Sequence, residues 1–181
     1  MMLDSNNAVL IVIDVQGRLH EFMADKDVLD ANLEKLIGAA KLLNIPMIGI
    51  GQIPEKPGET SEPFRSMPEH VPMVGKTTFS CCGDPGFDAV FQGRGKKQVI
   101  LAGIEAPHIC VYETAVELLD RGVEVFVAAD AVSSRTAYKI ELALEAIRQV
   151  GGVILPTESI LMALQKDAAS PTFRGVLRLI K

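Results

Sequence analysis

A chain of 181 residues, 48% of them hydrophobic, can bury a sizeable core and predicts a single domain over residues 1–181. A net charge of −5 gives no support for binding to nucleic acid or to an anionic membrane. No apolar run approaches the roughly 20 residues that are needed to span a bilayer.

The N-terminus and the cysteines indicate the cellular compartment of the protein. Residues 1–7 have neither the basic region nor the long apolar region of a signal peptide. The three cysteines are Cys81, Cys82 and Cys110, an odd number with two adjacent, so a disulfide framework is not expected. These features predict a cytoplasmic protein with free thiols, Cys81 and Cys82 included.

Short apolar runs alternate with segments of helical spacing along the whole chain. The first run, Ala8 to Asp14, is rich in β-branched residues and predicts a strand buried on both faces. Strands are predicted over residues 8–14, 45–50, 73–76, 98–102, 122–130 and 153–155. Helices are predicted over residues 27–43, 86–92, 107–121, 137–150 and 157–166, followed by an amphipathic tail at 172–181. Residues 51–75 form a long, proline-rich irregular stretch, which is usually functional when it lies inside a compact domain.

This alternation predicts an α/β fold with a parallel sheet and helices on both of its faces. Ligands bind at the C-terminal ends of the strands in such sheets. Asp14 ends the first predicted strand, Gln52 follows the second, Lys76 ends the third and Cys110 follows the fourth. Three of these four residues can do chemistry, and the fold would bring them to one edge of the sheet.

Cys110 stands between a predicted buried strand and an amphipathic helix, at the end of the segment 103–110. Free N–H groups and the helix dipole at a helix N-terminus favour a thiolate. The same N–H groups can hold the oxyanion that forms when a thiolate attacks a carbonyl. A small buried cysteine that only fills space fits this pattern equally well.

Asp14 and Lys76 could together activate such a thiol. A nearby ammonium lowers the pKa of a thiol, and a carboxylate within reach can take its proton and return it to a leaving amine. Each residue also has a structural alternative, because an Asp at a strand end often caps the next turn and a Lys there is often a solvated edge charge. Asp14 ends a wholly apolar strand, however, and a buried carboxylate needs a cation, for which Lys76 is the candidate.

Four motifs resemble those of the isochorismatase-like cysteine hydrolases, the superfamily that includes nicotinamidases and N-carbamoylsarcosine amidohydrolase. The resemblance covers residues 8 to about 168 and is closest to isochorismatase-domain proteins that carry Gly-Ile-Glu-Ala before the cysteine. Each motif alone is weak, but the set is specific. The motifs are Ile13-Asp14-Val15-Gln16, Lys76-Thr77-Thr78-Phe79-Ser80, Gly103-Ile104-Glu105-Ala106 with Cys110-Val111-Tyr112-Glu113-Thr114, and Asp130-Ala131-Val132-Ser133-Ser134-Arg135.

The resemblance implies a three-layer α/β/α, Rossmann-like fold with a six-stranded parallel sheet, and a homo-oligomer, either a dimer or a tetramer. It implies that Asp14 is the acid and base, Lys76 the electrostatic partner and Cys110 the nucleophile. By the same resemblance, residues that line a substrate pocket would be Gln16, Gln52, Phe79, Ala106 and Tyr112. Phe79 could equally be a core residue.

The sequence departs from the family pattern in two places. Family members have six residue steps between the glycine and the cysteine, whereas Gly103 and Cys110 are seven apart, with Pro107 as the apparent insertion. Nicotinamidases bind a metal through one Asp and two His after the second strand, where this chain has residues 51–54, Gly-Gln-Ile-Pro. We therefore expect no metal and no other cofactor, and nicotinamide is disfavoured as the substrate.

The sequence predicts a hydrolase that cleaves a C–N bond of a small amide or similar acyl compound through a Cys110 thioester. Its expected partner is a small-molecule substrate. One alternative is a catalytically silent binding or scaffold protein of the same fold, which the inserted Pro107 would favour. Another is a thiol redox protein that pairs Cys110 with Cys81 or Cys82.

Overall fold

A computed structural model describes residues 2–52, 65–104 and 109–181, with the backbone only at Gln52. Six strands alternate with helices along the chain. The strands are β1 (Ala8–Ile13), β2 (Met47–Gln52), β3 (Met73–Lys76), β4 (Gln98–Ile104), β5 (Glu124–Ser133) and β6 (Val153–Leu155). The helices are α1 (Gly17–His20), α2 (Lys26–Leu42), α3 (Pro85–Gln92), α4 (Val111–Asp120), α5 (Ala137–Gln149), α6 (Thr157–Gln165) and α7 (Phe173–Ile180).

The six strands form one sheet in the order β3-β2-β1-β4-β5-β6, and every pairing is parallel. The predicted fold, a parallel sheet flanked by helices, is confirmed. β1 lies in the interior of the sheet between β2 and β4, so the strand order reverses there. Ligands of open α/β sheets bind at such a reversal point, beyond the C-terminal ends of the strands.

β1 shows why a continuous apolar run makes a central strand. Successive side chains point to opposite faces of a sheet. Leu10 and Val12 pack into a core with α2, α6 and α7, while Val9 and Ile11 pack into a second core with α3 and α4. All are at most 1% exposed, so β1 is covered by helices on both faces.

β5 runs three residues past its predicted end, and its pairing with β4 contains a bulge. Leu101 of β4 pairs with Val127, but Gly103 pairs with Val132, so β5 uses five residue steps where β4 uses two. Asp130 lies in the bulge and accepts hydrogen bonds from the backbone N and the Oγ1 of Thr157, both at 2.7 Å. From the sequence alone Asp130 is predicted to end the strand, whereas in the structure its carboxylate caps the start of α6.

Smaller differences concern the first turns of helices. The helix predicted to begin at Pro107 is regular only from Val111, after a π-helical turn at residues 109–110. The four-residue α1 and a 3-10 turn at Cys81–Gly83 are too short to show a periodic pattern. Within the described ranges, we find no helix with the length and apolarity to cross a membrane.

Candidate active site

Asp14 follows the last residue of β1 and turns the chain sharply away from the sheet. Its backbone is left-handed, with φ 56°, which Asp tolerates better than most residues. Its N–H donates to the carbonyl of Ile50 at 2.8 Å, and its own carbonyl accepts from the N–H of Gln16 at 2.7 Å. The carboxylate is thereby fixed at the C-terminal edge of the sheet, where only 4% of the residue is exposed.

Gly103 lets β4 approach β1 closely at this edge. It pairs with Ile13, the residue before Asp14, and its φ is 133°. A Cβ atom at this position would lie 2.1 Å from the carbonyl oxygen of Ile13, a rigid backbone atom. Only glycine fits there, whereas the sequence alone predicts no more than a turn that begins at Gly103.

Lys76 ends β3, on the far side of β2 from β1, and only 1% of it is exposed. Its long side chain passes the end of β2 toward the end of β1. The Nζ atom lies 3.0 Å from Oδ2 of Asp14 and donates to Sγ of Cys110 at 3.4 Å. It also donates to the carbonyl oxygen of Thr78 at 3.1 Å. A buried ammonium is stable only with such partners.

Cys110 immediately precedes α4 and is 4% exposed. The sequence predicted a thiol activated by a helix N-terminus and by Lys76. In the folded protein the pKa of the Cys110 thiol is instead raised to about 12, because burial and then the negative charge of Asp14 outweigh the opposing effect of Lys76. The resting sulfur is therefore a protonated thiol.

The charge state of Lys76 follows from the same contacts. Burial acts to lower the pKa of the ammonium, but Asp14 and Cys110 together raise it above its ordinary value. Lys76 is a permanent cation at neutral pH. Asp14, Lys76 and Cys110, called the trio below, thus consist of one carboxylate, one ammonium and one protonated thiol.

One oxygen of the Asp14 carboxylate is held by Lys76, and the other is not. Oδ1 is buried and has no hydrogen-bond partner among the residues that the structure describes. Buried carboxylate oxygens are nearly always bonded, so an orphan one is notable. Asp14 is also within hydrogen-bonding reach of the Cys110 thiol, and that contact helps to raise the pKa of the thiol.

The structure places the other predicted site residues in different surroundings. Gln16 is half-buried, and its Oε1 lies over Gly51, where a Cβ would be 2.5 Å away. Phe79 is 62% exposed, which excludes the core alternative. Tyr112 is half-buried against the core on the α4 face of the sheet. The side chain of Gln52, all of Ala106 and the turn 105–108 with Pro107 lie outside the described residues.

Cys81 and Cys82 are free thiols, as the sequence predicted, and the structure shows that both are buried. Burial raises the pKa of Cys81 to about 12 and that of Cys82 to about 11. The backbone N–H of Cys81 donates to Oγ1 of Thr114, a buried hydroxyl on α4, at 3.0 Å. This link between the loop after Lys76 and the helix after Cys110 could not be read from the sequence, because it joins two distant segments.

Comparison with known proteins gives a consistent family. The isochorismatase domain model matches residues 8–159. A relative from Phytophthora sojae, named secreted isochorismatase effector Isc1, is 35% identical over 97% of this chain and 85% of its own length.

Two solved structures have the same fold. The MAR1 ribonuclease from Caenorhabditis elegans is 31% identical, with a TM-score of 0.91 over 99% of this chain and 92% of its own. The YcaC gene product of Escherichia coli, described as an octameric hydrolase of unknown specificity, is 23% identical, with a TM-score of 0.92 over 99% of this chain and 89% of its own.

Proposed function

Because the chain belongs to the isochorismatase family, whose domain model spans residues 8–159, we propose that it is a cysteine hydrolase that cleaves a C–N bond of a small amide or related acyl compound. Family membership supports hydrolysis in general. The particular chemistry is inferred from Asp14, Lys76 and Cys110. The contact that carries the proposal is a buried ammonium lying 3.0 Å from a carboxylate and 3.4 Å from a thiol sulfur.

The first half of the reaction forms a thioester. Asp14 takes the thiol proton while Sγ of Cys110 attacks the carbonyl carbon, and Lys76 stabilises the negative charge as it develops on sulfur. Collapse of the tetrahedral intermediate breaks the C–N bond. Asp14 then gives its proton to the departing nitrogen, so the amine leaves neutral and the carboxylate is restored.

The second half releases the acid. Water attacks the thioester carbon and gives a proton to Asp14, and the C–S bond breaks. Asp14 returns that proton to sulfur. The sum is amide plus water to carboxylic acid plus amine, with Asp14, Lys76 and Cys110 unchanged.

The raised pKa of Cys110 decides when the proton moves. With a pKa of about 12 the thiol is not ionised before substrate binds, so deprotonation accompanies attack. Asp14 is thus required as a base and does not serve only to orient Lys76. The hydrogen bond between the Cys110 thiol and Asp14, one of the causes of the raised pKa, supports this role, because the proton donor and the base are already in contact.

A small substrate suits this site better than a polymer. The C. elegans protein is described as a ribonuclease. In this chain the net charge is −5, and no member of the trio is more than 4% exposed. Association with a polyanion normally relies on exposed cations, so we propose a small acyl compound.

The proposal also covers the assembly of the protein and its location in the cell. We propose that residues 1–181 act as one domain and that the chain forms a homo-oligomer, because the E. coli structure of the same fold is described as octameric. Light scattering coupled to size-exclusion chromatography measures the assembly directly. A cytoplasmic location stays a prediction, and the P. sojae relative is named as secreted.

The test of the proposed reaction is ammonia or amine release from a panel of small neutral amides, with Cys110→Ala as the matched control. We expect release by the wild-type protein and none by the variant. Acid quenching during turnover should leave the acyl group on the peptide that contains Cys110, as a mass increase. Release that survives Cys110→Ala would overturn the thioester mechanism. If the wild-type protein releases nothing from any amide, the silent binding protein becomes the better account.

A further inference from the structure

The loop after Lys76 is fastened to one face of α4, the helix that Cys110 precedes. Besides the bond from the N–H of Cys81 to Thr114, Oγ of Ser80 donates to Oε2 of Glu117 at 2.6 Å. Arg121, just beyond α4, donates to the carbonyl of Cys82 at 2.9 Å. The three contacts on the helix side are three or four residues apart, so they follow one stripe of the helix.

The same loop also holds the ammonium of Lys76. Nζ donates to the carbonyl of Thr78 at 3.1 Å, and Oγ1 of Thr78 donates to the carbonyl of Ser80 at 2.7 Å. Ser80 then leads directly into Cys81 and its bond to Thr114. A closed path of contacts therefore runs from Lys76 through the loop to α4 and back to Lys76 through Sγ of Cys110.

Thr114 is the innermost point of this path. It is completely buried and lies four residues after Cys110, one helical turn along the same face of α4. Ser80 and Glu117 lie nearer the surface. Of the contacts between the loop and α4, the one at Thr114 is closest in sequence to the reactive sulfur.

We propose that Thr114 is a positioning residue, whose hydroxyl fixes the loop 77–83 on α4 and thereby sets the distance between the Lys76 ammonium and the Cys110 sulfur. Thr114 acts through Lys76 and does not touch substrate. Without its hydroxyl the loop loses its deepest attachment and carries the Thr78 carbonyl, and with it the ammonium, away from sulfur. This inference deepens the proposed function but concerns the ionisation of Cys110, which can be measured without any substrate.

The experiment measures the apparent pKa of Cys110 from the pH dependence of its alkylation by iodoacetamide, followed by peptide mass spectrometry. Asp14→Asn serves as the background because it removes a charge that raises this pKa and so brings the midpoint into an accessible range. Thr114→Val keeps the shape of the side chain and removes the hydroxyl. Thr114→Ser keeps the hydroxyl and is the matched control. The midpoint does not depend on how easily the reagent enters.

We expect Asp14→Asn with Thr114→Val to show a higher midpoint than Asp14→Asn alone, approaching that of Asp14→Asn with Lys76→Met. With Thr114→Ser the midpoint should stay at that of Asp14→Asn alone. If Thr114→Val leaves the midpoint unchanged while Lys76→Met raises it, Thr114 is only a structural residue and the inference is wrong, although the trio stands. If Lys76→Met also has no effect, the proposed trio fails as well.

A second variant covers the case in which Thr114→Val does not fold. Ser80→Ala removes the bonds to Glu117 and to the N–H of Cys82, which lies 3.1 Å from Oγ of Ser80, and perturbs the same loop from its outer end. In the Asp14→Asn background it should raise the midpoint in the same direction. An unchanged midpoint in this folded variant would contradict the proposal that the loop sets the position of Lys76.

Discussion

Nζ of Lys76 lies 3.0 Å from Oδ2 of Asp14, although Lys76 ends β3, Asp14 follows β1, and these two strands are not neighbours in the sheet. β2 separates them, and strands lie roughly 4.8 Å apart, so the lysine spans about two strand widths. Few other side chains are long enough to reach across β2. The contact between Lys76 and Asp14 is a buried ion pair at the edge where β1 and β4 meet. Breaking that pair should therefore affect both stability and chemistry.

Lys76→Met should lower the free energy of unfolding by about 3–5 kcal/mol, because removal of one partner leaves a buried carboxylate uncompensated. The double variant Asp14→Asn with Lys76→Met should lose less than the sum of the two single losses, because no charge is left unpaired. Urea denaturation at pH 7 measures all four proteins of this cycle. Additive losses would show that the two groups do not interact energetically.

Gly103→Ala should destabilise the protein by about 3 kcal/mol or more, since a φ of 133° is strained for alanine and the new Cβ would meet the carbonyl of Ile13. Gly95→Ala is the control: Gly95 also has a positive φ, 59°, but a Cβ there meets nothing within 4 Å. Its cost should be only about 1 kcal/mol. Equal losses in the two variants, measured by urea unfolding, would show that the close approach of β4 to β1 is not rigid.

The free energy of unfolding should fall as the pH rises above about 9. The pKa values of Cys81 and Cys110 are about 12 in the folded protein against 9.0 for an ordinary thiol, so between these values the folded state keeps protons that the unfolded state has lost. Each such thiol removes up to about 1.4 kcal/mol of stability per pH unit. Below pH 9 both states are protonated and the contribution is constant.

Urea unfolding under reducing conditions at pH 8, 9, 10 and 10.5 would show this decline, and Cys81→Ala should make it shallower. A stability that does not change with pH over this range would mean that the thiols are not buried as described.

Much of the sheet could be predicted from the sequence, because its central strands are continuous β-branched runs and its connections carry helical spacing. The rule that ligands bind at strand ends also selected Asp14, Lys76 and Cys110, which the structure brings within contact distance of one another through Lys76. These features depend on local pattern and on topology, both of which are visible in one chain.

Other features depend on contacts between distant segments. The raised pKa of Cys110 results from burial and from Asp14, 96 residues earlier in the chain, and these effects outweigh the opposing effect of Lys76. The bulge in β5 at Asp130 and the bond from Cys81 to Thr114 likewise appear only when the strands and helices are assembled.

The most direct test of the trio is the pH dependence of Cys110 alkylation in the wild-type protein, Asp14→Asn and Lys76→Met. The carboxylate raises the pKa of the thiol and the ammonium lowers it, so the two variants should shift the profile in opposite directions. Asp14→Asn should alkylate about tenfold faster or more at pH 8, because loss of an adjacent charge changes a pKa by about one unit or more. The rate of hydrolysis by Asp14→Asn should nevertheless fall by a factor of about 10² to 10⁴, because no base remains to take the thiol proton. Lys76→Met should alkylate more slowly than the wild-type protein. Shifts of both profiles in the same direction, or no shift in either, would contradict an Asp14–Lys76–Cys110 site.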